Sequence, residues 1–425
     1  MAYNPYNRPN MSQRRLLIAH PGATSLLYPL VALLQRMAFD VSFETSFYAQ
    51  PGDTYARLAQ VLPGKLKARA ERELSRRRHP DIAPRGIITH PLPELVHVLA
   101  ARTAPPAVTS SLLRWRNARF DRLVAARIRR ERPDIFIGFD GSCEQSLRAC
   151  KETGTVSLLF QAIGHLRSGL RILEEERRLH PEFAHVPLGD TSEDWIERNT
   201  REALLADRVI VPSDYVRDTM VDNGRDPATI DLLPYPVDTE RFTPAASPRP
   251  LHPLRALFVG QIGMRKGVKY ILEAMKILAR HDIQIGLVGG VVDGSDWLQP
   301  YLGRYRHIAN VPHAEMPAIF RDADIFVFPS LHEGSAMATN EALASGLPVI
   351  VTPNAGAVAR DGVEGFVVPI RDAAAVADRM ARLADDPALL ARMSRAARTR
   401  AEAHDAAAYS RNLETLLDRL PRPAR

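Results

Sequence analysis

One stretch in the second half of the chain has the pattern of two buried strands joined by a loop and a short helix. Ile325–Phe328 and Val349–Val351 are continuous apolar runs, typical of strands buried on both faces of a parallel sheet. A helix is predicted from Met337 to Ala344, with Gly346 ending it as a left-handed cap. Open parallel sheets bind ligands at the carboxyl ends of their strands. The stretch therefore predicts an α/β fold with a ligand site in the loop at residues 332–336.

The loop and the helix of this stretch carry two glutamates, Glu333 and Glu341. Amide groups at a helix start attract anions, whereas a carboxylate repels anions and accepts hydrogen bonds from hydroxyl groups. A sugar nucleotide satisfies both groups, because its diphosphate takes the amides and its hydroxyl groups donate to the carboxylates. An ordinary strand–helix–strand unit with two surface glutamates is the alternative interpretation.

The spacing of these glutamates, followed by residues 342–348 (ALASGLP) and 352–356 (TPNAG), resembles the donor-site signature of the retaining glycosyltransferases of family 4. The resemblance implies the GT-B fold, with two Rossmann-like domains facing across a cleft. It also implies a hexosyltransferase of the kind used in polysaccharide biosynthesis. Such an enzyme moves a sugar from a nucleotide-diphosphate sugar to a glycan, lipid-linked or small-molecule acceptor, without a cofactor or an essential metal. The residues that the resemblance places in the site are Glu333 as a catalytic residue and Glu341, Gly334, Ser335 and Ala336 as donor-binding residues.

A glycine-containing loop with two cations follows the predicted strand Arg255–Gly260. Arg265 and Lys266 lie at the end of this loop, directly before a predicted helix, where amides and cations together can hold a diphosphate. The family has Gly-Arg at the start of the loop, but Gln261 occupies the arginine position here. We expect all three side chains to be donor-binding, with Arg265 supplying the missing charge. A solvated basic turn is the alternative.

Two positions in the first half of the chain follow predicted strands. Gly22 lies in the turn after Arg15–His20 and resembles the small-residue loop of GT-B enzymes that approaches the donor phosphate. A plain strand–helix turn explains it equally well. His165 follows the predicted strand Val156–Phe160, and the resemblance implies that it contacts the donor sugar as a second catalytic residue. A solvated histidine is the alternative.

A chain of 425 residues exceeds what one core usually supports, so two domains are expected. A proline-rich linker at Pro248–Pro253 predicts an acceptor-side domain of residues 1–250 and a nucleotide-sugar-binding domain of residues 251–404. Residues 405–425 are expected to form a helix that returns to the first domain. No apolar run approaches the ~18 residues needed to span a bilayer, and the first residues lack the apolar core of a signal peptide. A cytoplasmic location is therefore expected.

Other segments indicate structure rather than cofactor chemistry. Residues 49–106 have no strong strand signal and predict a helical region over the acceptor cleft. Asp322 and Asp324 have the letters of a metal-binding pair, but they precede a strand and indicate a helix end. Cys143 and Cys150 are too few for a disulfide framework or a zinc site, so we expect reduced structural thiols.

The net charge of +7 is concentrated in the first half of the chain. Lys65–His79 has seven cations against two carboxylates, a net +5, and Arg114–Arg132 has eight against two, a net +6. One interpretation is two solvated helix faces. The other is attraction through Lys65–Arg78 and Arg114–Arg132 to an anionic acceptor or membrane, peripherally on its inner face. Nucleic acid is not expected, because no nucleic-acid motif accompanies the charge.

Two other classes of protein remain open at this point. The neutral Gln261 in the cation loop favours a catalytically silent nucleotide-sugar-binding subunit of the GT-B fold. A sugar-nucleotide epimerase or hydrolase of the same fold is the second class. Tight nucleotide binding without turnover indicates the first class, and hydrolysis of the donor without an acceptor indicates the second.

Overall fold

The chain forms two compact units. The first lies within residues 1–160, 193–210 and 416–425, and the second lies within residues 161–192 and 211–415. The predicted domain bounds stay predictions, and residues 247–252 of the predicted linker region lie outside the described part of the chain. The computed structural model describes residues 14–22, 26–37, 39–50, 53, 57, 60–61, 63–75, 77–103, 106–246, 253–309 and 311–421.

The first unit is built on a parallel sheet with helices between its strands. The strands are β1 (Arg14–His20), β2 (Phe39–Thr45), β3 (Ile87–Thr89), β4 (Ile135–Phe139), β5 (Val156–Phe160) and β6 (Arg208–Val211). They lie in the order β3-β2-β1-β4-β5-β6. The helices up to residue 205 are α1 (Leu27–Arg36), α2 (Gly64–Ser75), α3 (Pro91–Thr103), α4 (Pro106–Glu131), α5 (Glu144–Thr153), α6 (Leu166–Leu179), which belongs to the second unit, and α7 (Glu193–Leu205).

Two strands of this sheet, β2 and β3, have no counterpart in the sequence-based predictions. Strand β2 ends in Glu44 and Thr45, which are almost fully buried although both are polar. A strand with a buried polar end lacks the continuous apolar run by which buried parallel strands are recognised. Strand β3 has only three residues and lies at the edge of the sheet. The prediction of a helical region over residues 49–106 is therefore wrong at β3.

Three arginines of the two basic segments hold buried carboxylates inside the first unit. Arg77 and Arg116 contact the two oxygens of Glu94 at 2.9 and 2.6 Å. Arg127 contacts Glu44 at 3.3 Å. Because a buried carboxylate without a partner is costly, these arginines have a structural role that differs from a solvated face or a membrane contact.

The amino end of α5 is capped by a buried carboxylate rather than left open. Glu202 accepts hydrogen bonds from the backbone N–H groups of Gly141, Cys143 and Glu144 at 2.6, 3.0 and 3.1 Å. Arg198 lies 3.3 Å from the same carboxylate. Burial raises the pKa of Glu202 to about 7, although Arg198 and the amides oppose this shift. Cys143 and Cys150 are buried and free, as predicted for structural thiols.

The second unit contains a six-stranded parallel sheet. The order is β10-β9-β8-β11-β12-β13, so β8 has β9 on one side and β11 on the other. Crevices for ligands form at such a switch point, outside the carboxyl ends of the two strands. The six strands of this sheet are β8 (Leu254–Val259), β9 (Ile283–Val288), β10 (Arg306–Ile308), β11 (Ile325–Phe328), β12 (Val349–Val351) and β13 (Gly365–Val367). The short strand β7 (Ile230–Leu232) precedes them in the chain and is not part of this sheet.

The strand–loop–helix–strand stretch is confirmed in the second unit. Its helix spans Met337–Ala344, and Gly346 has the left-handed φ of +73°. Asp322 directly follows a helix, as predicted, and Asp324 accepts a hydrogen bond from Arg255 N at 2.9 Å. No helix in the described ranges is long and apolar enough to cross a membrane. The helices from residue 211 onward are α8 (Asp214–Asp222), α9 (Val268–Leu278), α10 (Met316–Arg321), α11 (Met337–Ala344), α12 (Ala373–Asp385), α13 (Pro387–Glu402) and α14 (Ala406–Asp418).

Replacing Glu202 tests whether its cap on α5 stabilises the first unit. Glu202→Ala is expected to lower the free energy of unfolding by about 3–5 kcal/mol, because three amide donors and Arg198 lose a buried partner. Urea denaturation at pH 8 measures the change. Glu197→Ala, on the exposed side of the same helix, is the matched control and is expected to change stability by less than about 0.5 kcal/mol. Equal effects of the two substitutions contradict the capping role.

Candidate functional site

Two loops meet at the switch point of the second sheet. The loop after β8 ends at Gly267, whose φ is +66° and where a Cβ atom would lie 2.0 Å from the carbonyl oxygen of Pro329. The N–H of Leu331 and the hydroxyl of Ser330 both donate to the carbonyl of Arg265, at 2.9 and 3.1 Å. Only glycine allows the loops to approach this closely, and the hydrogen bonds then hold them together.

The two cations predicted to bind the donor, Arg265 and Lys266, lie together with the predicted catalytic carboxylate, Glu333, at this junction. Arg265 Nη1 and Lys266 Nζ both contact Oε1 of Glu333. Arg265 Nη1 also donates to the carbonyl of His332 at 3.0 Å, and Lys266 Nζ lies 5.1 Å from the ring centre of Phe328. Burial lowers the pKa of Lys266, although the charge of Glu333 opposes this shift. The cluster carries one net positive charge when all three groups are ionised.

Gln261 lies beside the same cluster, on the wall of a cavity of about 210 Å³. Asp293 is on this wall too, and it accepts a hydrogen bond from the backbone N–H of Met264 at 2.6 Å. Gln261 therefore adjoins the cations, but it adds no charge to them. The cavity is lined by Leu173, Val186, Pro187, Leu188, Gln261, Gly263, Met264, Arg265, Lys266, Val292 and Asp293.

The three residues after Glu333 are tightly enclosed. A Cβ atom on Gly334 would lie 1.8 Å from the carbonyl of Ala162, and Ser213 donates its hydroxyl hydrogen to the carbonyl of Gly334 at 2.5 Å. The hydroxyl of Ser335 is buried and has no hydrogen-bond partner among the described residues. The N–H of Ala336 donates to Ala355 at 3.1 Å. Ser335 thus keeps an unused polar group directly before α11.

Glu341 lies in the middle of α11 and is partly buried. Its Oε1 lies 3.6 Å from Nε2 of His313, and its side chain is 13% exposed. Burial raises the pKa of Glu341 to about 7, although the charge of Arg241 opposes this shift. The carboxyl group therefore changes its protonation state near neutral pH.

The two predicted site residues from earlier in the chain have structural partners. The N–H of Arg167 donates to Nδ1 of His165 at 3.3 Å, so this buried histidine caps α6. Burial lowers the pKa of His165 to about 4. Gly22 belongs to the first unit, and its N–H donates to Nδ1 of His20 at 3.0 Å. Contacts of His165 with a donor sugar and of Gly22 with a phosphate stay predictions.

Sequence reasoning placed His332 in the loop but assigned it no role. Its buried ring is hydrogen-bonded through Nδ1 to the hydroxyl of Tyr215 at 2.7 Å. No local pattern indicates this pair, since 117 positions separate its members. In the part of the chain that the structure describes, no three His, Cys, Asp or Glu side chains are arranged to hold a metal ion. Metal independence stays a prediction.

Comparison with solved structures identifies the class of fold. A sucrose-phosphate synthase from Thermosynechococcus elongatus has a TM-score of 0.60 at 18% identity, over 96% of this chain and 98% of that one. An Anabaena protein solved with UDP and glucose has a TM-score of 0.60 at 13% identity, over 96% and 100%. The chain therefore has the GT-B fold with two Rossmann-like domains. That these domains face each other across a cleft stays a prediction.

The second half of the chain is similar in sequence to known glycosyltransferases. Residues 253–386 match the Glycosyl transferases group 1 family. The D-inositol 3-phosphate glycosyltransferase of an Arthrobacter species is 32% identical over 194 residues, 41% of this chain and 46% of the relative. The glycogen synthase of Mycobacterium tuberculosis is 32% identical over 184 residues, 41% and 44%. The chain thus spans about half the length of the curated relatives it matches.

The raised pKa of Glu341 predicts that the free energy of unfolding of the protein depends on pH. Its folded-state pKa of about 7 exceeds the ordinary value of 4.5. Its contribution to the free energy of unfolding is therefore full below pH 4.5 and is lost as the pH rises through 7. Glu341→Gln cannot ionise, so it is expected to lose about 1–3 kcal/mol less stability than the wild type between pH 5 and pH 8. Urea denaturation at four pH values measures this difference.

Glu315→Gln is the control for this experiment, because Glu315 is exposed in the turn before α10. It is expected to follow the wild-type pH dependence. Parallel curves for the wild type and Glu341→Gln mean that burial does not raise the pKa of Glu341.

Proposed function

We propose that the chain is a retaining glycosyltransferase that moves a hexose from a nucleotide-diphosphate sugar to an acceptor. The observation that carries this proposal is the meeting of Arg265, Lys266 and Glu333 at the switch point of the second sheet, beside a cavity of about 210 Å³. A site for a sugar diphosphate needs cations for the phosphates and acceptors for the sugar hydroxyls. This junction has both.

The cations hold the diphosphate of the donor. Without a ligand, Arg265 and Lys266 share the carboxylate of Glu333. A bound diphosphate offers more negative charge and several acceptor oxygens, so the cations turn to it and release Glu333. Arg265 thus replaces the charge that Gln261 lacks at the start of the loop.

The carboxylates and one hydroxyl group hold the sugars of the donor. Glu333 accepts hydrogen bonds from the transferred sugar once the cations have released it. Glu341 accepts from a second pair of hydroxyl groups, in the ionised form that predominates above pH 7. The buried Ser335 hydroxyl, which has no partner in the described ranges, gains one from the ligand.

The resemblance to the retaining glycosyltransferases of family 4 implies a same-face transfer in which negative charge develops on the leaving phosphate. The bond between the anomeric carbon and the phosphate oxygen breaks, and the acceptor oxygen attacks the same face of the sugar. The acceptor proton passes to the leaving phosphate oxygen, through an oxocarbenium-like transition state. Once they have turned to the diphosphate, Arg265 and Lys266 lie where the negative charge grows, so they stabilise the transition state more than the bound donor.

The names of the similar proteins support this proposal. One curated relative is named a glycosyltransferase, and another is named a galactosyltransferase that uses UDP-Gal. Solved neighbours from Anabaena contain UDP and glucose or UDP-glucose. UDP-sugars are therefore the first donors to test.

A donor panel and one cation variant test the proposal. Among UDP-, GDP- and ADP-sugars, one is expected to raise thermal stability, since a ligand at 100 times its Kd adds about 2.7 kcal/mol. With that donor, Lys266→Ala is expected to lower kcat/KM by about 30- to 1,000-fold, equivalent to about 2–4 kcal/mol of transition-state stabilisation. Release of the nucleoside diphosphate, with and without sugar or lipid-linked acceptors, measures the rate.

Lys276→Ala is the matched control, because Lys276 is exposed on α9 of the same unit. It is expected to retain wild-type kinetics. Unchanged kinetics in Lys266→Ala contradict the cation role. Tight binding of the nucleotide without turnover supports a silent binding subunit instead, and release of free sugar without an acceptor supports a hydrolase.

We further propose that the first unit binds peripherally to an anionic membrane surface on its cytoplasmic face, where a lipid-linked acceptor lies. Exposed apolar side chains accompany the cations of the two basic segments. Leu66 is 56% exposed in α2, and Leu113 and Trp115 are 37% and 44% exposed in α4. Apolar side chains among cations are typical of surfaces that bind anionic lipid.

Vesicle binding tests this surface. Replacing Lys67, Arg72 and Arg78 together by Ser is expected to weaken cosedimentation with anionic vesicles about 100-fold at low salt, because each cation contributes about 1 kcal/mol. Arg77 is left unchanged in this variant, because it forms an ion pair with the buried Glu94. Replacing Arg392, Arg395 and Arg411 by Ser removes the same charge from exposed positions elsewhere and is the control. Equal loss in both variants, or equal binding to neutral vesicles, contradicts the proposal.

A further inference from the structure

We propose that Tyr215 and His332 are a pair of positioning residues that holds the Glu333 loop in its working position. The inference rests on the proposed function, because it concerns the residue next to the carboxylate assigned to the transferred sugar. Tyr215 lies in the first turn of α8, and His332 lies in the loop after β11.

The pair joins two segments that are distant in sequence. The Tyr215 hydroxyl and Nδ1 of His332 lie 2.7 Å apart. The two rings meet edge to face, with centres 5.8 Å apart and an angle of 76° between their planes. His332 is 5% exposed, so its ring is removed from water. A buried hydrogen bond between two rings fixes both the position and the rotation of each ring.

Two glycines form a notch that the His332 ring fills. A Cβ atom on Gly169 of α6 would lie 2.4 Å from Nε2 of His332, and its three nearest atoms would all belong to this ring. A Cβ atom on Gly164 would lie 2.8 Å from Cε1 of His332 and 2.9 Å from Cε1 of Tyr215. The ring therefore occupies space that only glycine leaves free, and it cannot shift toward α6.

The backbone around the ring belongs to the ion cluster. The carbonyl of His332 accepts a hydrogen bond from Nη1 of Arg265 at 3.0 Å. The carbonyl of Glu333 accepts one from the N–H of Gly164 at 3.2 Å. A movement of the His332 ring therefore moves the residue that follows it, together with an atom that orients Arg265. The pair acts on the reaction through Glu333 and needs no contact with the substrate.

The ring is suited to this task because it stays uncharged. Burial lowers the pKa of His332 to about 4, the positive charge of Arg265 acts in the same direction, and Glu333 opposes both. Burial also raises the pKa of Tyr215 above its usual range. Near neutral pH the hydrogen bond therefore joins two neutral groups, so it can lie beside the ion cluster without adding charge to it.

Kinetics of conservative variants test the pair in the full chain. Tyr215→Phe removes one oxygen atom and is expected to lower kcat about tenfold while KM for the donor changes less than threefold. The reason is that the loops of the cations keep their own backbone hydrogen bonds. His332→Asn retains a polar atom near the place of Nδ1, so it is expected to recover most of the kcat that His332→Leu loses. Equal losses in the Asn and Leu variants contradict the positioning role.

A double-mutant cycle tests the notch. Gly169→Ala is expected to lower kcat at least tenfold in the wild type but less than threefold in His332→Ala, because the three atoms nearest to the new methyl group all belong to the His332 ring. Glu174→Ala, at an exposed position of the same helix, is the control and is expected to give equal effects in both backgrounds. Additive losses in the Gly169 and His332 variants overturn the inference.

A spectroscopic measurement separates this inference from the proposed function. In protein with nitrogen-15-labelled histidine, assigned with His332→Asn, the His332 ring is expected to be neutral and to lose its hydrogen-bonded Nδ1 signal in Tyr215→Phe. Absence of transfer from every donor in the wild type overturns the proposed function. An active wild type, with Tyr215→Phe equal to it in kcat and in the His332 spectrum, overturns the positioning pair alone.

Discussion

The second unit depends on one ion cluster, in which Arg265 and Lys266 share the carboxylate of Glu333. Lys266 and Glu333 are largely withdrawn from water and Arg265 is partly exposed, so the ion pairs among them offset the cost of burying charge. The cluster exists because β8 and β11 are neighbours in the sheet, which brings the loops after them together at the switch point. A ligand that replaces Glu333 as the partner of the cations therefore gains their interaction and releases a carboxylate at the same time.

Glycines and buried hydrogen bonds hold the two loops that carry this cluster in position. Gly267 and Gly334 allow backbone approaches that no side chain tolerates, and the carbonyl of Arg265 ties its loop to the next. The Tyr215–His332 pair adds a side-chain contact to the same loop. A site assembled from loops needs such contacts, because a displacement of about 1 Å is enough to misplace a catalytic group.

The first unit also buries charge, but there the charge is structural. Glu202 caps α5, and the arginines at positions 77, 116 and 127 hold Glu94 and Glu44. The excess of cations in the basic segments is therefore only partly available to a membrane or an anionic acceptor. Counting charges along the sequence overestimates the free positive surface, because a sum does not distinguish exposed cations from cations paired with buried carboxylates.

The sequence by itself determined the local features of the site. Apolar runs and helix-ending residues predicted β11, β12 and Met337–Ala344, since strand and helix periodicity are properties of neighbouring residues. The cation loop and the two glutamates were recognised in the same way. Tertiary structure alone decided that Glu333 pairs with Arg265 and Lys266, that His332 pairs with Tyr215, and that β2 ends in a buried glutamate. These contacts depend on the order of the strands in the sheet and on which buried groups pair with each other. Neither can be predicted from a short stretch of the chain, because both involve residues that are distant in sequence.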